Sequence, residues 1–198
     1  MPGRDARRPR DTRRLFVAAE VPDPVHRALD AALSPWIEGI PARWVPARNR
    51  HVTLRFLGPV DAGSVFGVRA AVASVAGGWA PVQTRLAGFG GFPSARRARV
   101  VWAGLADRAG RLAGLAAALD RVLAPIAAAG AAGAAPARTF RPHLTLGRCD
   151  PPARLPVAFI ATELEPAPFG IDRLVLFESL RGSGHPRYDL VEAAELRG

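Results

Sequence analysis

The 198-residue sequence contains no lysine: all 27 of its basic residues are arginine. It has one cysteine, Cys149, one methionine and one tyrosine. The lone cysteine excludes an internal disulfide framework and a Cys-rich zinc site, and a reducing cytoplasm is the simplest home. Long apolar runs are missing too. The longest uncharged stretch, residues 122–137, is interrupted by Pro125, Gly130, Gly133 and Pro136, which argues against a membrane span.

What is present is an ordinary globular mixture, 49% hydrophobic and 22% charged, so collagen-like, coiled-coil and wholly disordered classes are excluded. The net charge of +10 favours polyanionic partners, and arginine forks onto phosphate oxygens. The missing lysine itself reads as the codon bias of a GC-rich genome, in keeping with the abundant Ala, Gly and Pro. Residues 1–14 hold six arginines and two aspartates, a net of +4. With no apolar periodicity, residues 1–13 are expected to form a disordered arginine-rich tail ahead of a single domain over 14–198. Arg13-Arg14 imitates a twin-arginine export signal. The apolar run after it stops at Glu20, too short for an export signal, so a cytoplasmic location is expected.

Strand and helix signals alternate along the domain. Residues 15–21 read as a buried strand, and Asp23-Pro24 opens a helix with Val25, Leu29, Ala32 and Leu33 on one face. A short extended piece at 43–45 precedes a strand over 51–57. A helix over 63–76 and strands at 82–86 and 99–103 follow, the last two joined by the glycine- and arginine-rich loop GFGGFPSARRA. Leu112, Leu115, Leu119, Val122 and Ile126 mark a helix expected to fray near Pro125. The segment AAAGAAGAAPA is expected to be a flexible loop. Strands at 143–147, 174–180 and 188–193 complete an α+β fold with mainly antiparallel pairing.

One pattern occurs twice: His51-Val52-Thr53-Leu54 and His143-Leu144-Thr145-Leu146, 92 residues apart, each on a short strand. Side chains alternate along a strand, so each motif sets an imidazole and a hydroxyl on one face and two apolar anchors on the other. One such motif is weak, because a strand histidine is commonly structural. Two copies that use two of only four histidines point to acid–base chemistry, since imidazole titrates near neutral pH and serves in either role. No local carboxylate or cysteine cluster accompanies the histidines, so a metal site would be poorly furnished.

The pair, together with RLFVAAEVP, RWVPARNRHVTLRFLG, GGFPSARRARVVWAG, FRPHLTLGR and LVLFES in this order, resembles the 2H phosphoesterase superfamily. It is most similar to the RNA 2′,3′-cyclic phosphodiesterases, historically called 2′-5′ RNA ligases. The resemblance covers nearly all of the chain from Arg14. It implies a bilobal fold of two pseudo-symmetric lobes, with mainly antiparallel sheets flanked by helices and a central cleft. It implies chemistry without a metal on RNA that ends in a 2′,3′-cyclic phosphate, tRNA fragments being one source; a monomer with no cofactor and no membrane partner is expected. The expected reaction is hydrolysis to a 2′-phosphate, reversible to an ATP-independent 2′-5′ ligation. Ligation through a lysine–nucleotide adduct is excluded, since the chain has neither lysine nor a phosphate-cradling G-x-x-x-x-G-K-S/T loop.

The resemblance makes His51 the general acid for the 3′ oxygen and His143 the general base for water; the residues alone allow the reverse. Thr53 and Thr145 are expected to donate to non-bridging phosphate oxygens, or else to pack across strands. Arg148 is the candidate to pair with the phosphate. Phe56, by resemblance, stacks on the terminal base, its alternative being a core phenylalanine. Arg55 is left between the His51 face and a surface role. Arg96, Arg97 and Arg99 beside Phe89, Phe92 and Trp102 are read either as an RNA guide or as a solvated loop. His26, His185 and Cys149 are expected to take no part in catalysis. The competing readings are a non-catalytic RNA-end-binding protein and a 2H enzyme for a small cyclic nucleotide.

Overall fold

The computed structural model describes residues 11–130, 139–164, 167–180, 182 and 184–198. Among the described residues, ten strands and four α-helices follow in the order β1 (Thr12–Ala19), α1 (Asp23–Leu33), β2 (Arg43–Trp44), β3 (Val52–Asp61), α2 (Val65–Gly77), β4 (Val82–Thr84), β5 (Leu86–Phe92), β6 (Ala98–Leu105), α3 (Arg111–Gly130), β7 (His143–Ala153), α4 (Val157–Ile160), β8 (Phe169–Ile171), β9 (Arg173–Leu180) and β10 (Arg187–Glu195). Eight strands form one sheet in the order β10-β9-β1-β3-β7-β6-β5, with β2 also paired to β7; β4 and β8 form a separate ribbon. All pairings are antiparallel. The α+β expectation holds.

The helices follow their apolar stripes. Val25, Leu29 and Leu33 bury one face of α1, whose first turn carries Asp23 and a proline. In α2 the buried set is Val65, Val68, Val72, Val75 and Ala76. The Asp107 carboxylate caps α3, accepting from the Leu112 and Ala113 amides at 3.0 and 2.9 Å. Leu112, Leu115, Leu119 and Leu123 then bury its core face, while Val122, expected there, is exposed. Pro125 does not end this helix, which runs on to Gly130. Pro125 lies on the exposed side of the helix, as does Arg121 one turn before it, whose carbonyl the proline has no N–H to reach. The remainder of the AAAGAAGAAPA segment, residues 131–137, lies outside the described residues.

Two further expectations are corrected. The tail boundary at residue 13 is too late: Thr12 and Arg13 already pair with Asp61 and Val60, and Arg13 is ion-paired to Glu178. Residues 1–10 lie outside the described residues. The GFGGF segment is a strand, β5, and not part of a loop. Its glycines admit a close neighbour: a Cβ on Gly90 would sit 2.1 Å from the Trp102 ring, and one on Gly91 would sit 2.7 Å from the Ala98 methyl. Phe89 leaves the polar loop altogether, buried and stacked on Phe159 at 4.6 Å.

The sheet joins two sets of strands, β10-β9-β1-β3 and β7-β6-β5, through a single register pair, Val52 with Leu144. Both residues are fully buried. The second residue of each motif therefore anchors the motif and holds the two halves of the sheet together. Among the described residues no helix is long and apolar enough to cross a membrane.

Candidate active site

Antiparallel continuation about the Val52–Leu144 pair sets Thr145 across from His51 and Thr53 across from His143. All four side chains then share the face opposite the two buried anchors. Two strand segments thus place two imidazoles and two hydroxyls side by side, related by a local twofold.

Each motif also carries an irregularity at its fourth residue. Along β1 and β3, Ala18 pairs with Thr53 but Val17 pairs with Arg55, so Leu54 is an extra residue. Along β6 and β7, Trp102 pairs with Thr145 but Val101 pairs with Gly147, so Leu146 is extra in the same way. A bulge of one residue inverts the alternation beyond it. Arg55 consequently leaves the cleft face and pairs with Asp120 of α3 at 2.9 Å. The fifth residue after each histidine takes its place: Phe56 in one motif and Arg148 in the other. Both line a cavity of about 360 Å³ together with His51, Thr53 and Thr145. Phe56 is 67% exposed, which excludes the core alternative.

The histidines are held alike but housed differently. His143 donates from Nδ1 to the Arg141 carbonyl at 2.6 Å. Since a carbonyl only accepts, the proton is fixed on Nδ1 and Nε2 is left free. His51 is bonded to the Asn49 carbonyl, again two residues upstream. Around His51 stand Phe16, stacked at 4.9 Å, and Tyr188, edge-on at 5.2 Å. His143 meets Phe92 edge-on at 5.0 Å and Trp102 at 6.5 Å.

Burial pushes the His51 pKa down to about 4, helped by the nearby His143 and opposed by the Asn49 carbonyl. Burial also lowers that of His143, against the pull of the Arg141 carbonyl. Both imidazoles are therefore neutral at pH 7 until an anion enters. An anion beside His51 favours its charged form, so anion binding takes up a proton and strengthens as the pH falls from 6.5 toward 4. Sulfate, whose charge is constant over that range, is expected to gain up to about tenfold in affinity per pH unit. Titration calorimetry on the wild type and His51→Ala checks this; the variant shows a flatter dependence.

Several residues at this site were not expected there from the sequence. Phe16, Tyr188, Arg14, Arg43, Asn49 and His185 all line the cavity. Tyr188 was findable as the sole tyrosine of the chain, and its phenol is pushed up by burial while the Arg148 charge pulls it down. Of the residues considered for an RNA guide, Phe92 and Trp102 stand beside His143. Arg96, Arg97 and Arg99 are exposed and do not line the cavity. Cys149 is buried, and burial raises its thiol pKa, as suits an inert side chain. His26 lies on α1 beside Arg50, and burial lowers its pKa.

The chain is similar to known proteins in both sequence and fold. The chain is 28% identical to the RNA 2′,3′-cyclic phosphodiesterase of Aquifex aeolicus over 80% of its own length and 84% of the relative's. It is 33% identical to the protein of that name from Aeropyrum pernix, over 60% of this chain and 63% of that one. The crystal structure of TT0787 of Thermus thermophilus superposes with a TM-score of 0.74 at 28% identity, covering 93% of this chain and 98% of that one. E. coli LigT complexed with 3′-AMP superposes with a TM-score of 0.75 at 25% identity, covering 95% and 100%. Residues 18–183 match the model of the 2′-5′ RNA ligase superfamily, and the chain belongs to that superfamily.

Proposed function

We propose that the chain hydrolyses RNA 2′,3′-cyclic phosphate ends to 2′-phosphates by acid–base catalysis between His51 and His143. The observation that carries this reading is the Val52–Leu144 register, which gathers both histidines and both threonines on one face. The relatives named RNA 2′,3′-cyclic phosphodiesterase support it.

The displacement needs a base on one side of phosphorus and an acid on the other. His143, with Nδ1 committed to the Arg141 carbonyl, takes the water proton through Nε2. The water oxygen bonds to phosphorus, the bond from phosphorus to the 3′ oxygen breaks, and His51 gives that oxygen its proton. The family resemblance supplies this order of roles. Thr53 and Thr145 donate to the non-bridging oxygens as charge builds on them. Arg148 pairs with the phosphate, and Phe56 offers its exposed ring to the terminal base.

The diester brings the negative charge that His51 lacks in the free protein, so substrate binding itself helps to load the acid. With a 5′-hydroxyl in place of water, the same geometry runs toward a 2′-5′ linkage without ATP.

The test is an oligoribonucleotide ending in a 2′,3′-cyclic phosphate, incubated with the protein in EDTA, with the product resolved by chromatography. A 2′-phosphate is expected at an undiminished rate. A 3′-phosphate, or activity abolished by the chelator, contradicts the proposal.

A further inference from the structure

His185 lies outside the machinery assigned above, yet two cavities share it. The first is the motif cavity. The second, of about 530 Å³, meets the first at Asn49, His51, His185, Pro186 and Tyr188, and is closed by Glu20, Arg48, Arg50, Phe177 and Arg187. Its volume lies within the range of small-ligand sites.

The wall between the cavities is tied in place from both sides. Asn49 donates from Nδ2 to the Pro186 carbonyl at 2.8 Å, and Arg43 donates from Nη1 to the Gly184 carbonyl at 3.0 Å. His185 is therefore held between the residues that anchor the loop to the approach to the first motif.

Ion pairing leaves the second cavity with one uncommitted charge. Glu20 is engaged by Arg173, Arg50 by Asp30 and Arg187 by Asp189. Arg48 is exposed and makes no ion pair among the described residues. One free guanidinium, an imidazole and the Phe177 wall match the chemistry of one nucleotide with one phosphodiester.

Position decides which nucleotide. The second cavity adjoins His51, which the proposed mechanism sets on the 3′ oxygen. The ribose that holds the 3′ oxygen also holds the 5′ oxygen through which the strand continues. We propose that the second cavity receives the penultimate nucleotide of the substrate strand, with Arg48 on its phosphodiester and His185 at the passage between the two nucleotides. This rests on the phosphodiesterase reading above.

The test compares a 2′,3′-cyclic mononucleotide with a dinucleotide carrying the same terminal nucleoside, for the wild type, His185→Ala and Arg48→Ala. The wild type is expected to favour the dinucleotide by about tenfold in kcat/KM, the scale of one charge-assisted contact. Each variant is expected to cut that ratio at least about threefold. For Arg48→Ala, the salt slope measured on the dinucleotide falls by roughly 0.7, the value for one phosphate on a single strand.

Equal kcat/KM for the two wild-type substrates overturns the inference, as do variants that slow both in proportion. Variants that impair only the joining of an incoming 5′-hydroxyl strand overturn it as well, since they place that strand in the cavity. Absence of turnover on both substrates overturns the phosphodiesterase reading beneath it, whereas turnover without a length preference overturns this inference alone.

Discussion

Replacing His143 or His51 by alanine is expected to lower kcat for cyclic-phosphate hydrolysis by about 10²–10⁴-fold, the usual contribution of one positioned acid or base. KM is expected to move less than about tenfold, because Arg148, Phe56 and the two threonines still line the cavity. The double variant should fall little further than the worse single one, since acid and base act on one displacement and their losses do not add. Steady-state kinetics with matched circular dichroism spectra checks all three. A single variant within tenfold of the wild type would remove that histidine from the mechanism.

Leu144→Ala carries the largest expected effect on the fold. Leu144 is fully buried and belongs to the register pair that links the two halves of the sheet. Truncating a buried leucine costs about 2–5 kcal/mol. In a chain of this size that lowers Tm by about 5–15 °C. Activity is expected to suffer separately, because the same pair fixes the distance between the motif faces. Leu29→Ala on α1 removes the same buried atoms from outside the two motif strands. Calorimetry should show similar losses for the two variants, while kcat, measured well below either Tm, should fall at least about tenfold only for Leu144→Ala. Equal kcat values would mean that the pairing stabilises the sheet without positioning the histidines.

The motifs were legible because strand alternation is local: His, apolar, Thr, apolar fixes two faces whatever the rest of the chain does. What lies beyond them was not. The bulges at Leu54 and Leu146 fall on ordinary apolar residues, and nothing in their chemistry marks an inserted position. Phe56 and Arg148 therefore stood on the wrong face by simple counting, and Arg55 on the right one. The resemblance named the first two, and the register explains them.

The glycines of β5 misled for a related reason. Glycine in a polar sequence reads as a turn, but Gly90 accepts the Trp102 ring and Gly91 the Ala98 methyl, both brought in by the neighbouring strand β6. Phe16 and Tyr188 reach His51 only because β1, β9 and β10 stack beside β3 in the sheet, an order that no local pattern encodes. The late end of α3 was obscured by Pro125, whose cost depends on which side of the helix faces water.

The central claim is one direct displacement at phosphorus, with a histidine on either side. The most direct test is its stereochemical course: hydrolysis of one diastereomer of a terminal 2′,3′-cyclic phosphorothioate in ¹⁸O-labelled water, followed by assignment of the configuration at phosphorus. Inversion is the predicted result. Retention, the outcome of two successive displacements or of attack from the leaving group's own side, would contradict the account.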